Sequence, residues 1–499
     1  MMPENPQPRA IFGRPLMASV PEAAACVPNP SPNSRQPRSL TLAGRASDSL
    51  LVVILAPFLA LTTDWLPRLL LAVAILDIPL QLGTHFYYQE KEAAFGALGG
   101  LSVSATTVAL AGLYVSWLIR SLLRKGYGRP AHHLNTALLT YIAVNIVSVF
   151  IAQDVSLALF EVVLLLESSL LYFYVANVVR SPRDVVFVVY CLLIGWLLES
   201  AIMIVMRVAV TPASSWNLPI HLHADWEGHG SFMRVGGTVG SPNVAAGYLS
   251  VCLALAASVL LTNLTSRYKT LAISVLGLGS VALILTGSRG GWIALVLALS
   301  ILGLATWRRR GLSLKMPLAA AALFLVLFLP FHSLISARVF GDDKGSAQSR
   351  VPLMHLAFRI VKDNPVLGVG ANNFTVVMNR YLSPEFREGF LFAVHNKYLL
   401  VLAETGALGL LGFLAFLLGT VRKGWRCWRL CDDPLSLLAL GFVAGLVGHM
   451  VHMTVDVFRG RPTQQLIWLI AGLLTAMFQM RRSVPSPGTP GPRVRARSS

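Results

Sequence analysis

Between residues 50 and 480 the chain is a succession of apolar runs, most of them long enough to cross a bilayer, separated by short polar connections. About 20 consecutive apolar residues span the hydrocarbon core as a helix. Within lipid, only helices and closed barrels satisfy every backbone group. The runs lie near 50–63, 67–84, 97–119, 134–152, 154–179, 185–210, 243–262, 270–286, 290–306, 316–334, 396–420, 435–456 and 463–480. With 55% hydrophobic and 13% charged residues over 499 positions, the chain carries more apolar surface than a soluble core absorbs. The expected fold class is an all-α polytopic membrane protein with 12–13 transmembrane helices, about 12 being preferred.

The formal net charge of +18 is distributed in blocks rather than as a nucleic-acid footprint. Arg120, Arg124, Lys125 and Arg129 form one block without acids. Arg308, Arg309, Arg310 and Lys315 form a second, and Arg422, Lys423, Arg426 and Arg429 a third. The tail from Arg481 adds five arginines. By the positive-inside rule these blocks are cytoplasmic. Counting back from a cytoplasmic C-terminus then puts 211–242, 287–289, 335–395 and 457–462 outside. Pro57, Asp64, Pro67, Asp77 and Pro79 make the 50–84 region irregular, so it is read as one crossing with a re-entrant or interfacial part. Residues 1–48 and 483–499, rich in Pro, Ser and Arg, read as disordered tails around a membrane domain at 49–482. Five scattered cysteines imply no disulfide framework; Cys427 and Cys431 read as ordinary thiols.

Residues 335–395 form a loop that a membrane chain seldom keeps without a use. It holds seven Lys/Arg (Arg338, Lys344, Arg350, Arg359, Lys362, Arg380, Arg387), five acids and two histidines. Within it, A-Q-S-R-V-P-L-M-H-L-A-F-R-I-V-K (347–362) is periodic. Val351, Met354, Phe358 and Val361 share one helical face bordered by Arg350, Arg359 and Lys362, which predicts an amphipathic helix on the outer surface. In the D-N-P-V-L-G-V-G-A-N-N-F segment that follows, Asn372 and Asn373 fit either sugar contact or, adequately, turn chemistry.

Three motifs fall on the outer face beside this loop. Arg234 lies in R-V-G-G-T-V-G-S-P-N, where Pro242 opens a helix whose first turn, with Asn243, favours anions. Arg289 and Ser288 lie in T-G-S-R-G-G-W, a turn so short that both sit at the membrane surface. His395 and Asn396 lie where the chain returns to the membrane. A lone boundary arginine commonly snorkels, and a histidine at a helix start commonly packs or caps. The convergence of all three motifs on one face favours function instead. Paired guanidiniums match a diphosphate through bidentate bonds, and a neutral histidine can take a proton from a hydroxyl. Glu161, Glu167 and Glu199 lie inside apolar runs and are candidates for proton-coupled transport or for hydrogen-bonded structural groups. Asp456, Arg459 and Arg461 bracket the last outer turn and fit an ion pair or a substrate contact, the structural reading being preferred.

In order along the chain, R-V-G-G-T-V-G-S-P-N-V-A-A, T-G-S-R-G-G-W, the 350–374 segment, and His395-Asn396 followed after nine residues by G-A-L-G resemble the O-antigen ligase and Wzy-type polymerase superfamily of bacterial envelope glycan enzymes. The resemblance covers the C-terminal half and leaves the first 130 residues poorly matched. It implies a GT-C-like, metal-independent and cofactor-free glycosyltransferase in the bacterial inner membrane with its active site on the periplasmic face. The implied donor is an undecaprenyl-diphosphate-linked glycan, and the acceptor a hydroxyl of a glycan or lipid A core. Carried over by residue, Arg234 and Arg289 hold the donor diphosphate, His395 is the general base, and Arg350 anchors the loop or a phosphate. Asn243, Ser288 and Asn396 stand beside them as substrate-binding candidates. The competing class is a transporter or flippase of lipid-linked glycans that depends on the intramembrane carboxylates.

Overall fold

The computed structural model describes residues 65–123, 135–209, 222–227, 232–310, 329–333, 335–336, 348, 350–382, 391–430 and 434–482, all within one compact unit, Leu51–Ser499. The apolar run near 50–63, most of that near 316–334, and both tails lie outside these residues.

The described chain is mostly helical. α1 (Leu66–Leu80) carries Pro67 in its first turn, where a missing N–H costs nothing. β1 (Gly83–Phe86) pairs antiparallel with β2 (Leu101–Ser104) around the short α2 (Glu90–Ala94). Next come α3 (Ala105–Leu123), α4 (Thr136–Ser148), α5 (Val155–Val178) and α6 (Pro182–Ala209). Asn135 and Asp154 cap α4 and α5 by accepting the N–H groups of Leu138 and Leu157. β3 (His223–Glu227) and β4 (Phe232–Gly237) form a second antiparallel pair. α7 (Pro242–Leu260), α8 (Ser266–Leu285) and α9 (Arg289–Arg310) follow, then α10 (Arg350–Asp363) and α11 (Phe374–Val377) of the long loop. α12 (Lys397–Leu430), α13 (Pro434–His452) and α14 (Arg461–Arg482) complete the bundle. Eight of these helices, α3, α5–α9, α12 and α13, are long and apolar enough to cross a membrane. The two small hairpins are an addition that the apolar pattern does not announce.

α7 packs between α8, α9 and α13, while α14 lies along α5 and α12. Buried polar pairs tie the helices where apolar contact alone leaves their order open. Arg461 meets Asp77 at 3.1 Å, and Asp77 also accepts the Thr106 N–H and hydroxyl. Arg459 pairs with Glu404 and lies 3.8 Å from Glu161. Burial works against the Arg459 charge, but Glu404 and Glu161 more than offset it and hold the guanidinium above its ordinary range. Of the three charged residues that bracket this last turn, Arg459 and Arg461 thus form ion pairs directed inward. Glu167 accepts from Thr107 and Gln465, and Glu199 accepts the N–H groups of Thr238 and Val239. Cys191, Cys252 and Cys427 are buried and form no disulfide.

The long loop is bound to α12. Gly406 breaks that helix with φ 64° and ψ −170°, and the backbone groups this frees are taken up by the loop. Ala407 N–H bonds the Pro365 carbonyl at 2.9 Å, while Val369 and Gly370 N–H groups bond the carbonyls of Ala403 and Glu404. An added Cβ on Gly406 lies 2.1 Å from the Val366 carbonyl oxygen, so only glycine permits this approach. The D-N-P-V-L-G-V-G and G-A-L-G motifs are thus two halves of one backbone joint. Asn372 and Asn373 are both buried, the first bonding the backbone of Leu98 and Leu157, the second that of Asp154 and Ala371. They staple the loop to the bundle, in keeping with the turn reading.

The amphipathic helix expected at 347–362 is α10, Arg350–Asp363, and it carries two apolar faces. In α10 the residues turned into the protein are Leu353, Leu356, Ala357 and Ile360, whereas Val351 and Phe358 are 50% and 53% exposed and Met354 and Val361 only partly covered. Both faces recur at helical spacing, and the one with small Ala357 fits closely against α12 and the 374–378 turn.

Candidate functional site

The outer-face motifs converge because three chain reversals meet at one end of the bundle. β4 carries Arg234 into a turn in which Gly237 has φ 66°, and an added Cβ there lies 2.0 Å from Glu199 Oε1. The buried Glu199 carboxylate fixes this turn by accepting the Thr238 N–H at 2.9 Å and touching its hydroxyl, which also donates to the Pro79 carbonyl. The chain then enters α7 at Pro242. A second turn passes through Gly287, φ 60°, into α9. There Ser288 Oγ accepts the Gly291 N–H at 3.4 Å, so Ser288 caps the helix that begins with Arg289. Two helix N-termini, each with a partial positive charge, therefore open side by side.

Arg234 joins these turns. Its Nε donates to the Thr286 carbonyl and its Nη2 to Asn243 Oδ1, both at 2.7 Å. A guanidinium held at two points has a fixed orientation, as anion binding through paired bonds requires. The third reversal, after α13, brings Val455 and Asp456 to the same place, and Arg350 Nη1 donates to the Val455 carbonyl at 3.1 Å. The resulting cleft is lined by Arg234, Asn243, Ser288, Arg289, Arg350 and Asp456, with His452 beside them. Its space is small, about 60 Å³. That suits a charged headgroup; a sugar or lipid chain must lie outside it.

Five of the seven sequence-predicted site residues thus line one cleft. His395 and Asn396 are not in its lining but are tied to its wall. The Lys397 N–H bonds the Met453 carbonyl at 2.8 Å, setting the 395–397 segment against the 453–456 turn. Asn396 Oδ1 accepts the Leu399 N–H at 3.0 Å, so its amide oxygen caps α12. His395 is partly covered, its ring 5.2 Å from that of Phe392. Burial lowers the His395 pKa below the usual imidazole range, the Asp456 carboxylate draws it back up, and the Arg350 guanidinium adds to the lowering. The imidazole is therefore neutral near pH 7 and electrostatically in touch with two cleft residues.

Sequence reasoning missed Glu199 as the support of the Arg234 turn and His452 as a lining residue. The first has no local signal, since its partner lies 39 residues away. The second was marked only by the H-M-x-H spacing at the end of an apolar run. Among the described residues no cluster of three or more His, Cys, Asp or Glu is arranged to hold a metal ion. A larger cavity of about 590 Å³, lined by Trp65, Arg68, Trp117, Arg120 and Asp184, lies at the Val178 end of α5, the end away from the Asp154–Asn373 tie, and holds none of the motif residues.

Fold and cleft together define a multi-pass helical membrane protein with an arginine-lined anion cleft at the head of its bundle. Residues 271–414 match the family model described as O-antigen ligase, which supports the O-antigen ligase and Wzy superfamily for this chain. The matched segment runs from α8 past the α12 break and contains Ser288, Arg289, Arg350, His395 and Asn396. No curated protein matches the chain. The match supports a membrane glycan-processing function of the ligase or polymerase type, carried out by a glycosyltransferase-like enzyme on lipid-linked glycan and acceptor substrates.

Proposed function

We propose that the protein transfers a glycan from an undecaprenyl-diphosphate-linked donor to a sugar hydroxyl, as an O-antigen ligase or polysaccharide polymerase. The observation that carries this reading is the cleft itself: three guanidiniums, one carboxylate and two helix N-termini meet in a space sized for a phosphate group. Arg234 and Arg289 hold the donor diphosphate, with Arg350, Asn243 and Ser288 as further donors. His395 removes the proton of the acceptor hydroxyl as its oxygen attacks the anomeric carbon. The bond from that carbon to the diphosphate oxygen breaks, and undecaprenyl diphosphate leaves with the bonding electrons, its charge balanced by the arginines. Asn396 acts mainly by fixing the start of α12, and so His395 beside it.

Fixed guanidiniums supply the charge that a divalent cation otherwise provides, which supports a metal-independent reaction without a cofactor. The basic blocks support an inner-membrane protein with the cleft on the periplasmic side, a GT-C-like arrangement of about 12 crossings, and a membrane domain at 49–482 with a periplasmic loop at 335–395. Against the transporter reading stand the contacts of Glu161, Glu167 and Glu199, each engaged by a neighbouring side chain or backbone group. The test is transfer by the purified protein from a lipid-diphosphate-linked glycan. His395→Ala or Arg289→Ala is expected to abolish it, and transfer surviving both changes sinks the mechanism.

A further inference from the structure

One ionisable side chain in the cleft has no part in the mechanism above. His452 ends α13 and lines the cleft with Arg234, Arg289 and Asp456, yet it is only 2% exposed. The Phe458 ring stands edge-on to it at 4.8 Å between centroids. On the other side lies Gly290, where an added Cβ comes within 2.6 Å of His452 Cδ2 and Nε2. The glycine that follows Arg289 is therefore what lets this imidazole reach the cleft. His452 Nδ1 is buried without a hydrogen-bond partner among the described residues, as are both ring nitrogens of His449 one turn away, and of the two histidines only His452 lines the cleft. Folded proteins leave few buried polar atoms in that condition, and each calls for a cause such as a ligand or an ordered water. A polar ring wedged tightly in place, with bonding capacity unspent beside three guanidiniums, is prepared for a ligand.

The geometry points to His452 as a binding residue for the donor phosphate, its neutral imidazole giving an N–H bond to a diphosphate oxygen held by Arg234 and Arg289. This rests on the reading of the cleft as a diphosphate site. It separates the two histidines: His452 grips the donor, while His395 takes the acceptor proton.

Binding of undecaprenyl diphosphate without a glycan, measured on the full chain in nanodiscs, tests this apart from turnover. His452→Phe fills the ring space without a polar atom and is expected to weaken binding by about tenfold or more, the loss of one bond to a charged group. His452→Asn keeps a donor near the Nδ1 position and is expected to stay within about threefold of wild type. His449→Gln, one turn away against the same Phe458 but outside the cleft, serves as the packing control and leaves binding unchanged. His395→Ala retains binding while losing transfer. Inorganic diphosphate reproduces the pattern if the headgroup alone is recognised. Equal affinity of His452→Phe and wild type overturns the assignment while leaving the cleft reading intact, as does an equal loss in His449→Gln. A wild-type protein that binds neither probe overturns both.

Discussion

Glu199 separates an enzyme from a transporter by one substitution. It is fully buried in α6 and serves the turn that leads from Arg234 to Asn243. Its oxygens accept the Thr238 N–H at 2.9 Å and the Val239 N–H at 3.4 Å, and meet the Thr238 hydroxyl. Glu199→Ala strands the main Thr238 N–H and leaves a cavity at the back of the turn. An orphaned buried donor costs about 1–3 kcal/mol, and the cavity brings the total to roughly 2–5 kcal/mol. Glu199→Gln behaves differently. The amide oxygen still accepts the Thr238 N–H, and the amide N–H donates to the Thr238 oxygen, whose hydrogen, shared with Glu199 in the wild type, turns to the Pro79 carbonyl at 2.7 Å. Every polar group keeps a partner, so the expected cost is below about 1 kcal/mol. Thermal unfolding in detergent and glycan transfer are measured on both variants. Alanine is expected to lower stability and transfer together, and glutamine to leave both near wild type. A stable Glu199→Gln protein without activity refutes this reasoning, because a proton-carrying carboxylate fails on amidation whereas a structural acceptor does not.

Further outcomes follow from the same contacts. Gly406→Ala forces a side chain into a left-handed position 2.1 Å from the Val366 carbonyl oxygen, so the loop must leave α12; a loss of at least about 2 kcal/mol is expected in thermal unfolding, and unchanged stability contradicts the backbone joint. General-base action needs neutral His395, so kcat falls as pH drops through its folded pKa, which burial places below the usual value of about 6.5. Arg350→Gln removes a lowering influence and moves this acid limb to higher pH, whereas Asp456→Asn removes a raising one and moves it lower. Shifts in the same direction, or none, argue against His395 as the titrating base.

The helices were legible in the sequence because bilayer-length apolar runs leave the backbone few alternatives. The cleft was legible in part: Arg234, Asn243, Ser288 and Arg289 sit in Gly-rich turns at run boundaries, Arg350 opens the amphipathic helix of the long loop, and the structure gathers all five. Long-range pairing was not. Nothing near Glu199 points to Thr238, and nothing near Asp77 points to Arg461 across 384 positions. Which face α10 turns into the protein was not legible, because Val351–Phe358 and Leu353–Ile360 repeat with the same period and only the surface presented by α12 decides between them. The Gly406 break was hidden in an apolar run, since a lone glycine inside a helix is ordinary. His452 was hidden likewise, one polar residue at the end of α13.

The central claim is that the arginine cleft holds a lipid diphosphate while His395 activates the acceptor. The most direct measurement is single-turnover transfer from an undecaprenyl-diphosphate-linked glycan to a sugar acceptor, with donor binding followed in the same preparation. His395→Ala is expected to bind donor like wild type and transfer nothing, and Arg289→Ala to lose donor binding. Full transfer by His395→Ala, or unchanged donor affinity in Arg289→Ala, contradicts the account.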